Sequence, residues 1–92
     1  MILHLGEGET VALRDVIAIF HFENTQSSGV TQEFLKRAED LGRIRKISKE
    51  QTKSIILAKV DGSYIIYFSP ISSSTLLKRM EYGESFEEKQ KK

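Results

Sequence analysis

The chain has 92 residues, no cysteine, no tryptophan and a formal net charge of +1. That length predicts a single domain that buries about 60 to 65 per cent of its unfolded surface, small enough to gain from self-association. Without cysteine there is no disulfide scaffold, thiolate metal site or thiol nucleophile, and a hydrophobic fraction of 39% leaves no excess of core, which fits an intracellular protein.

Residues 1–3 run into a His and a Gly-Glu turn with neither a basic leader nor a long apolar run. The expectation is no secretory signal, no membrane span and a cytoplasmic location. Residues 1–5 and 10–13 flank Gly6-Glu7-Gly8-Glu9 and read as a hairpin. Residues 15–22 are apolar at nearly every position, with Val16, Ala18, Phe20 and Phe22 on one face and Ile17, Ile19 and His21 on the other, so a central strand covered on both sides is expected. Residues 24–29 are polar and turn-forming, and Ser28 is placed to cap a helix beginning near Gly29. Val30, Phe34, Leu35, Ala38 and Leu41 then recur at helical spacing as the inward side. Gly42 suits the left-handed residue that ends the helix, and Ile44 can pack back on its last turn.

Residues 44–47 suit a short strand and residues 48–53 an exposed polar loop. Asp61-Gly62 suits the type I′ turn of a hairpin between residues 54–60 and 63–68. Pro70, the only proline, ends the second of these strands. Ser72 offers its hydroxyl to the amide of Thr75, opening a helix whose inward side is Leu76, Leu77 and Met80. The charged residues 84–92, with only Phe86 to bury, read as a disordered tail after one domain over residues 1–83. The order β-β-β-α-β-β-β-α predicts an α+β domain with an antiparallel-rich sheet and two helices.

Enzymatic patterns are absent from the sequence. His4 and His21 lie in apolar strands without a local carboxylate or a second His at ligand spacing, which favours buried or interface histidines. Ser72 to Ser74 lack a nucleophile-elbow context, Glu7 and Glu9 sit on a solvated turn, and no phosphate loop or dinucleotide fingerprint occurs. The expectation is a protein with no catalytic residue, cofactor, metal or small-molecule substrate.

Charge is segregated along the chain. Residues 1–35 hold one Arg against five acids, a local charge of −4, and residues 36–53 hold seven basic residues against Glu39, Asp40 and Glu50, a local charge of +4. Such asymmetry marks a polyanion-binding face, a contact between subunits or a solvated helix, and composition alone leaves the three open. Arg43, Arg45, Lys46, Lys49 and Lys53 form the basic cluster, with Ile44 and Lys46 on one face of an extended segment and Arg45 and Ile47 on the other. The free amides around Ser73 and Ser74, with Lys78 and Arg79 a turn later, suit a phosphate contact. The alternative is a well-capped helix and nothing more.

Ile2-Leu3-His4-Leu5-Gly6, Arg14-Asp15-Val16-Ile17-Ala18-Ile19-Phe20, Glu33-Phe34-Leu35-Lys36, Thr52-Lys53-Ser54-Ile55-Ile56 and the stretch from Tyr64 to Met80 occur in an order that resembles the RemB branch of the bacterial RemA/RemB extracellular-matrix regulators, over about residues 1 to 83. The resemblance implies a ring-forming, DNA-binding transcriptional regulator linked to biofilm matrix genes. Its partners would be double-stranded DNA and further copies of itself. The resemblance aligns Arg14 with a family arginine between strands and Lys53 with a basic family position. RemA carries two arginines, implicated in DNA contact, just before the threonine matching Thr52, where this chain has Glu50-Gln51. Two functions therefore stand side by side. One is a regulator touching phosphates through Arg14, Arg43, Arg45, Lys46, Lys49 and Lys53, and the other is an adaptor that keeps the ring without binding DNA.

Overall fold

The computed structural model describes residues 1–81, so the tail expected over 84–92 lies outside the described residues. In chain order these form β1 (Ile2–Gly6), β2 (Glu9–Ala12), a 3-10 turn (Leu13–Asp15), β3 (Val16–His21), α1 (Phe22–Gln26), α2 (Gly29–Asp40), β4 (Ile44–Lys46), β5 (Ser54–Val60), β6 (Ser63–Ser69) and a helix, α3, over residues 73–81. The α+β order is as expected, with one helix more. α1 forms where a polar turn is expected because Thr25 is buried and bonded at both ends: its hydroxyl donates to the Phe22 carbonyl at 2.6 Å, and its own carbonyl accepts from Gln32 Nε2 at 2.8 Å.

Asp61 and Gly62 adopt φ of 50° and 82°, the left-handed pair a type I′ turn requires, and close β5 onto β6 in unbroken antiparallel register from Ser54↔Ser69 to Val60↔Ser63. This pair is the centre of a four-stranded sheet of order β3-β5-β6-β4, with β4 parallel to β6 and the other pairs antiparallel. β1 and β2 form a separate two-stranded sheet.

The expectation of a central β3 is corrected: β3 is an edge strand, with Ile17 52% and Phe20 44% exposed. Its two-sided apolar pattern has another cause. Val16 and Ile19 pack on the core beneath the hairpin, whereas Ala18 and Phe20, paired with Leu57 and Ile55, belong to the opposite face.

Alternation along β5 and β6 divides the core into two layers. On one face Ile56, Ala58 and Tyr67 pack with Leu3, Leu5 and Val11 of the β1–β2 hairpin and Leu76 of α3. On the other face Ile55 and Ile66 pack with Leu35 and Ala38 of α2, bordered by Phe22, Ile44, Leu57 and Phe68. The inward side expected for α2 is thus narrower than its apolar pattern. Leu35 and Ala38 are buried, but Val30, Phe34 and Leu41 are 81%, 51% and 72% exposed, because α2 spans only part of its face of the sheet. Leu77 of α3 is exposed as well, and its neighbour Leu76 is the buried anchor.

Both expected caps are present. Ser28 Oγ accepts from the Thr31 amide and Ser72 Oγ from the Thr75 amide, each at 3.2 Å. Gly42 takes a φ of 70° after α2. Gly6 has a φ of 109°, and a Cβ there would meet Pro70 Cγ at 3.2 Å, so the hairpin approaches the β6–α3 junction through a position suited to glycine.

Two fully buried serines join the layers. Ser69 Oγ donates to the Leu5 carbonyl at 2.7 Å and accepts from the Ile71 amide at 3.0 Å, while Ser54 Oγ donates to the Ile71 carbonyl at 2.7 Å. Ser69→Ala strands both the Leu5 carbonyl and the Ile71 amide. It should lower the unfolding free energy by about 1–3 kcal/mol in a denaturant titration, whereas Ser63→Ala, at an exposed position, should change it by no more than about 0.5 kcal/mol.

Candidate nucleic-acid interface

Strand register decides which basic residues meet. The pairs His21↔Ser54, Ser54↔Ser69 and Lys46↔Phe68 bring the ends of β3, β4 and β6 and the start of β5 to one end of the sheet. Residues 47–53 connect β4 to β5 there, and the chain leaves β6 for α3 there too. Lys53 is held by its backbone, its amide donating to the Ser69 carbonyl at 2.8 Å and its carbonyl accepting from the Phe22 amide at 3.0 Å. Lys46, Lys49 and Lys53 are exposed, and none of them forms an ion pair among the described residues.

The N-terminus of α3 opens at the same end. Ser72 Oγ, besides capping Thr75, lies 2.9 Å from Thr75 Oγ1 and 3.2 Å from Ser74 Oγ, and Ser73 Oγ lies 3.5 Å from His21 Nδ1. Three lysines and the free amides of a helix N-terminus therefore face solvent from one end of the domain, an arrangement that suits phosphate oxygens.

Other expected contact residues lie elsewhere. Arg45 is on the hairpin side of β4, where its guanidinium straddles the Glu9 carboxylate, Nε at 3.0 Å from Oε1 and Nη2 at 3.4 Å from Oε2. Its charge is balanced within the chain. Arg43 precedes β4 about midway along the sheet, its carbonyl accepting from the amide of Ile66 at the middle of β6 at 2.9 Å, and it lines a cleft beside α2. Arg14 is in the 3-10 turn before Val16, which pairs with Ala58, so about 13 Å of β5 separates its end of the sheet from Ser54. Arg79 Nη1 donates to the His4 carbonyl at 3.1 Å and ties α3 to β1, leaving Lys78 exposed beside it.

Both histidines are exposed in the protomer, so of the two settings expected for them, burial or an interface, burial is corrected, and His21 does have a local carboxylate in Glu23, with Nε2 and Oε2 3.9 Å apart. β3 gives way to α1 at Phe22, and the helical turn brings Glu23 back toward the ring. Ser73, His21 and Glu23 thus stand in a row, but at 3.5 and 3.9 Å, with Glu23 in solvent, neither link has the length of a working nucleophile–base contact. Among the described residues no group of three or more His, Asp or Glu is placed to hold a metal ion, and no helix is long and apolar enough to cross a membrane.

Residues 2–80 match the model of the RemA-like family, described as extracellular matrix regulatory protein A-like. The chain belongs to the RemA-like family. It is also 35% identical over 82 residues to extracellular matrix regulatory protein B of Bacillus subtilis strain 168, an alignment that covers 89% of this chain and 93% of that protein. The chain is thus a RemB-like member of a family named for regulation, and the match runs from β1 into α3 through every residue of the basic end.

In this RemA-like fold the Arg45–Glu9 pair is exposed enough for water to screen it. Glu9→Gln should change the unfolding free energy by at most about 1 kcal/mol, and a denaturant titration repeated in high salt should remove the difference.

Proposed function

We propose that this RemA-like protein is a cytoplasmic transcriptional regulator of extracellular-matrix or biofilm genes, acting without catalysis or cofactor by binding duplex DNA as a ring of identical subunits. The observation that carries this reading is the convergence of Lys46, Lys49 and Lys53 with the N-terminus of α3 at one end of the sheet. Ser73 and Ser74 offer a phosphate their amides, with Lys78 following in the next turn. Three lysines per subunit are few for tight binding, but a ring repeats them, and the counter-ions released add up over many phosphates. Such contacts set affinity and register, leaving sequence choice to the shape and deformability of the duplex. Arg14, toward the far end of the sheet, and Arg43, midway along it, reach the same duplex only where assembly brings those parts of a neighbouring subunit to it.

Ring closure has a basis in the fold. β3 and β4 are two unlike edges of one sheet, and contact between unlike surfaces is head-to-tail, the kind that closes into a ring.

Glu50 favours a second reading. Its amide donates to Ser48 Oγ at 3.0 Å, which fixes a carboxylate within the lysine-bearing loop where the resemblance leads one to expect an arginine. A ring with that charge in every subunit suits an adaptor that does not touch DNA.

Duplex binding measured against salt concentration separates the two. Lys49→Ala with Lys53→Ala should weaken binding to all duplexes and reduce the log–log salt slope by about 0.9 for each phosphate no longer neutralised, without changing thermal stability. Replacing Glu50 and Gln51 by arginines should strengthen binding. A wild-type protein that assembles but shows no salt-sensitive duplex binding, beside an arginine variant that does bind, would replace the regulator with the adaptor.

A further inference from the structure

Beside α2 the sheet is uncovered and leaves an open cleft of roughly 670 Å³, floored by Leu57 and Ile66 and walled by α2. Val30, Phe34 and Leu41 line it along the helix and Tyr64 along the sheet, all four exposed. Glu33 and Arg37 lie on the same side of α2, one turn apart, and also line the cleft. Neither forms an ion pair among the described residues, although an i, i+4 acid–base pair on a helix is well spaced to do so. An apolar helix side of this kind, with one unpaired acid and one unpaired base, is a surface awaiting a partner of matching charge.

The spacing identifies the partner. When two copies of one helix pack antiparallel about a two-fold axis, each residue faces a counterpart an equal distance beyond the axis. An axis between Leu35 and Lys36 puts Val30 opposite the second copy's Leu41 and Glu33 within one residue of facing its Arg37, in both halves at once. The apolar ends then cover each other, and each acid meets a base. We propose that this side of α2 is a two-fold docking surface for a second copy of this chain. The contact is distinct from the head-to-tail contact that closes the proposed ring. It joins like surfaces rather than unlike ones, so it pairs subunits belonging to two rings, or forms a dimer where no ring exists.

The surface is exposed in the protomer, so substitutions on it should leave the fold intact, as circular dichroism and thermal melting can check. Glu33→Arg and Arg37→Glu should each place like charges across the axis and weaken the two-fold contact about tenfold or more by sedimentation at micromolar concentration. An equimolar mixture of the two single variants should recover it, because every facing pair in the mixed complex is then opposite in charge. The double variant E33R/R37E should recover it too. Single variants that assemble like the wild type, a mixture that fails to recover, or a wild type that sediments only as a monomer would overturn the proposal. The ring reading is judged separately by the same data. A wild type that is a two-fold dimer and nothing larger removes the ring and keeps the α2 contact, and a ring whose mass ignores these charges does the reverse.

Discussion

The buried hydroxyls of Ser54 and Ser69 form the constraint on which the rest of the molecule depends. They are paired across β5 and β6, both fully buried, and their three short hydrogen bonds hold the β1 carbonyl of Leu5 and the backbone of Ile71 against the end of the central hairpin. Groups buried this deeply cost stability unless satisfied, so the network admits few arrangements of β1, Pro70 and the start of α3. The main-chain bond from Lys53 to Ser69 belongs to the same corner. What looks like a site of separate parts, a lysine from one connection and a helix N-terminus from another, is one consequence of how the sheet is closed off.

Local features of the fold were legible in the residues because they depend on local chemistry. Asp61-Gly62 specifies its turn through positive φ, Ser28 and Ser72 cap helices through hydroxyls reaching amides three residues on, and Pro70 lies just past the end of β6. The position of β3 was not legible. A strand apolar on both faces is equally consistent with a central place and with an edge whose outer side is left for a partner, and nothing within residues 16–21 separates the two. The same ambiguity applies to α2, where five apolar positions at helical spacing include two that face the sheet's core and three that do not.

Within the candidate site, the cluster from Arg43 to Lys53 could be seen as a run of charge but not as a surface. Strand alternation separates Arg45 from Lys46, and only the tertiary packing of the hairpin shows that Glu9 neutralises Arg45. Parallel pairing of β4 with β6 was also beyond the sequence, yet it is what carries Lys46 to the same end as Lys53 and leaves Arg43 midway along the sheet. Register, rather than composition, decides which cations act together.

A net charge of +1 then acquires a spatial meaning. Glu9 of the acidic hairpin pairs with Arg45, Arg14 lies toward the far end of the sheet and Arg43 midway along it, and Lys46, Lys49 and Lys53 gather at the other end without an ion pair among the described residues. A single subunit of this kind has a weak field, since roughly balanced charge is screened within about 10 Å at ordinary ionic strength. Repetition changes this. Subunits arranged in a ring with the same end facing the same way would add their lysines along one surface. In the proposed ring, self-association is the step by which a nearly neutral 92-residue chain would present a polyanion-binding surface. The exposed apolar residues of β3 and α2, which weaken the case for an isolated monomer, are the parts of the chain available to drive it.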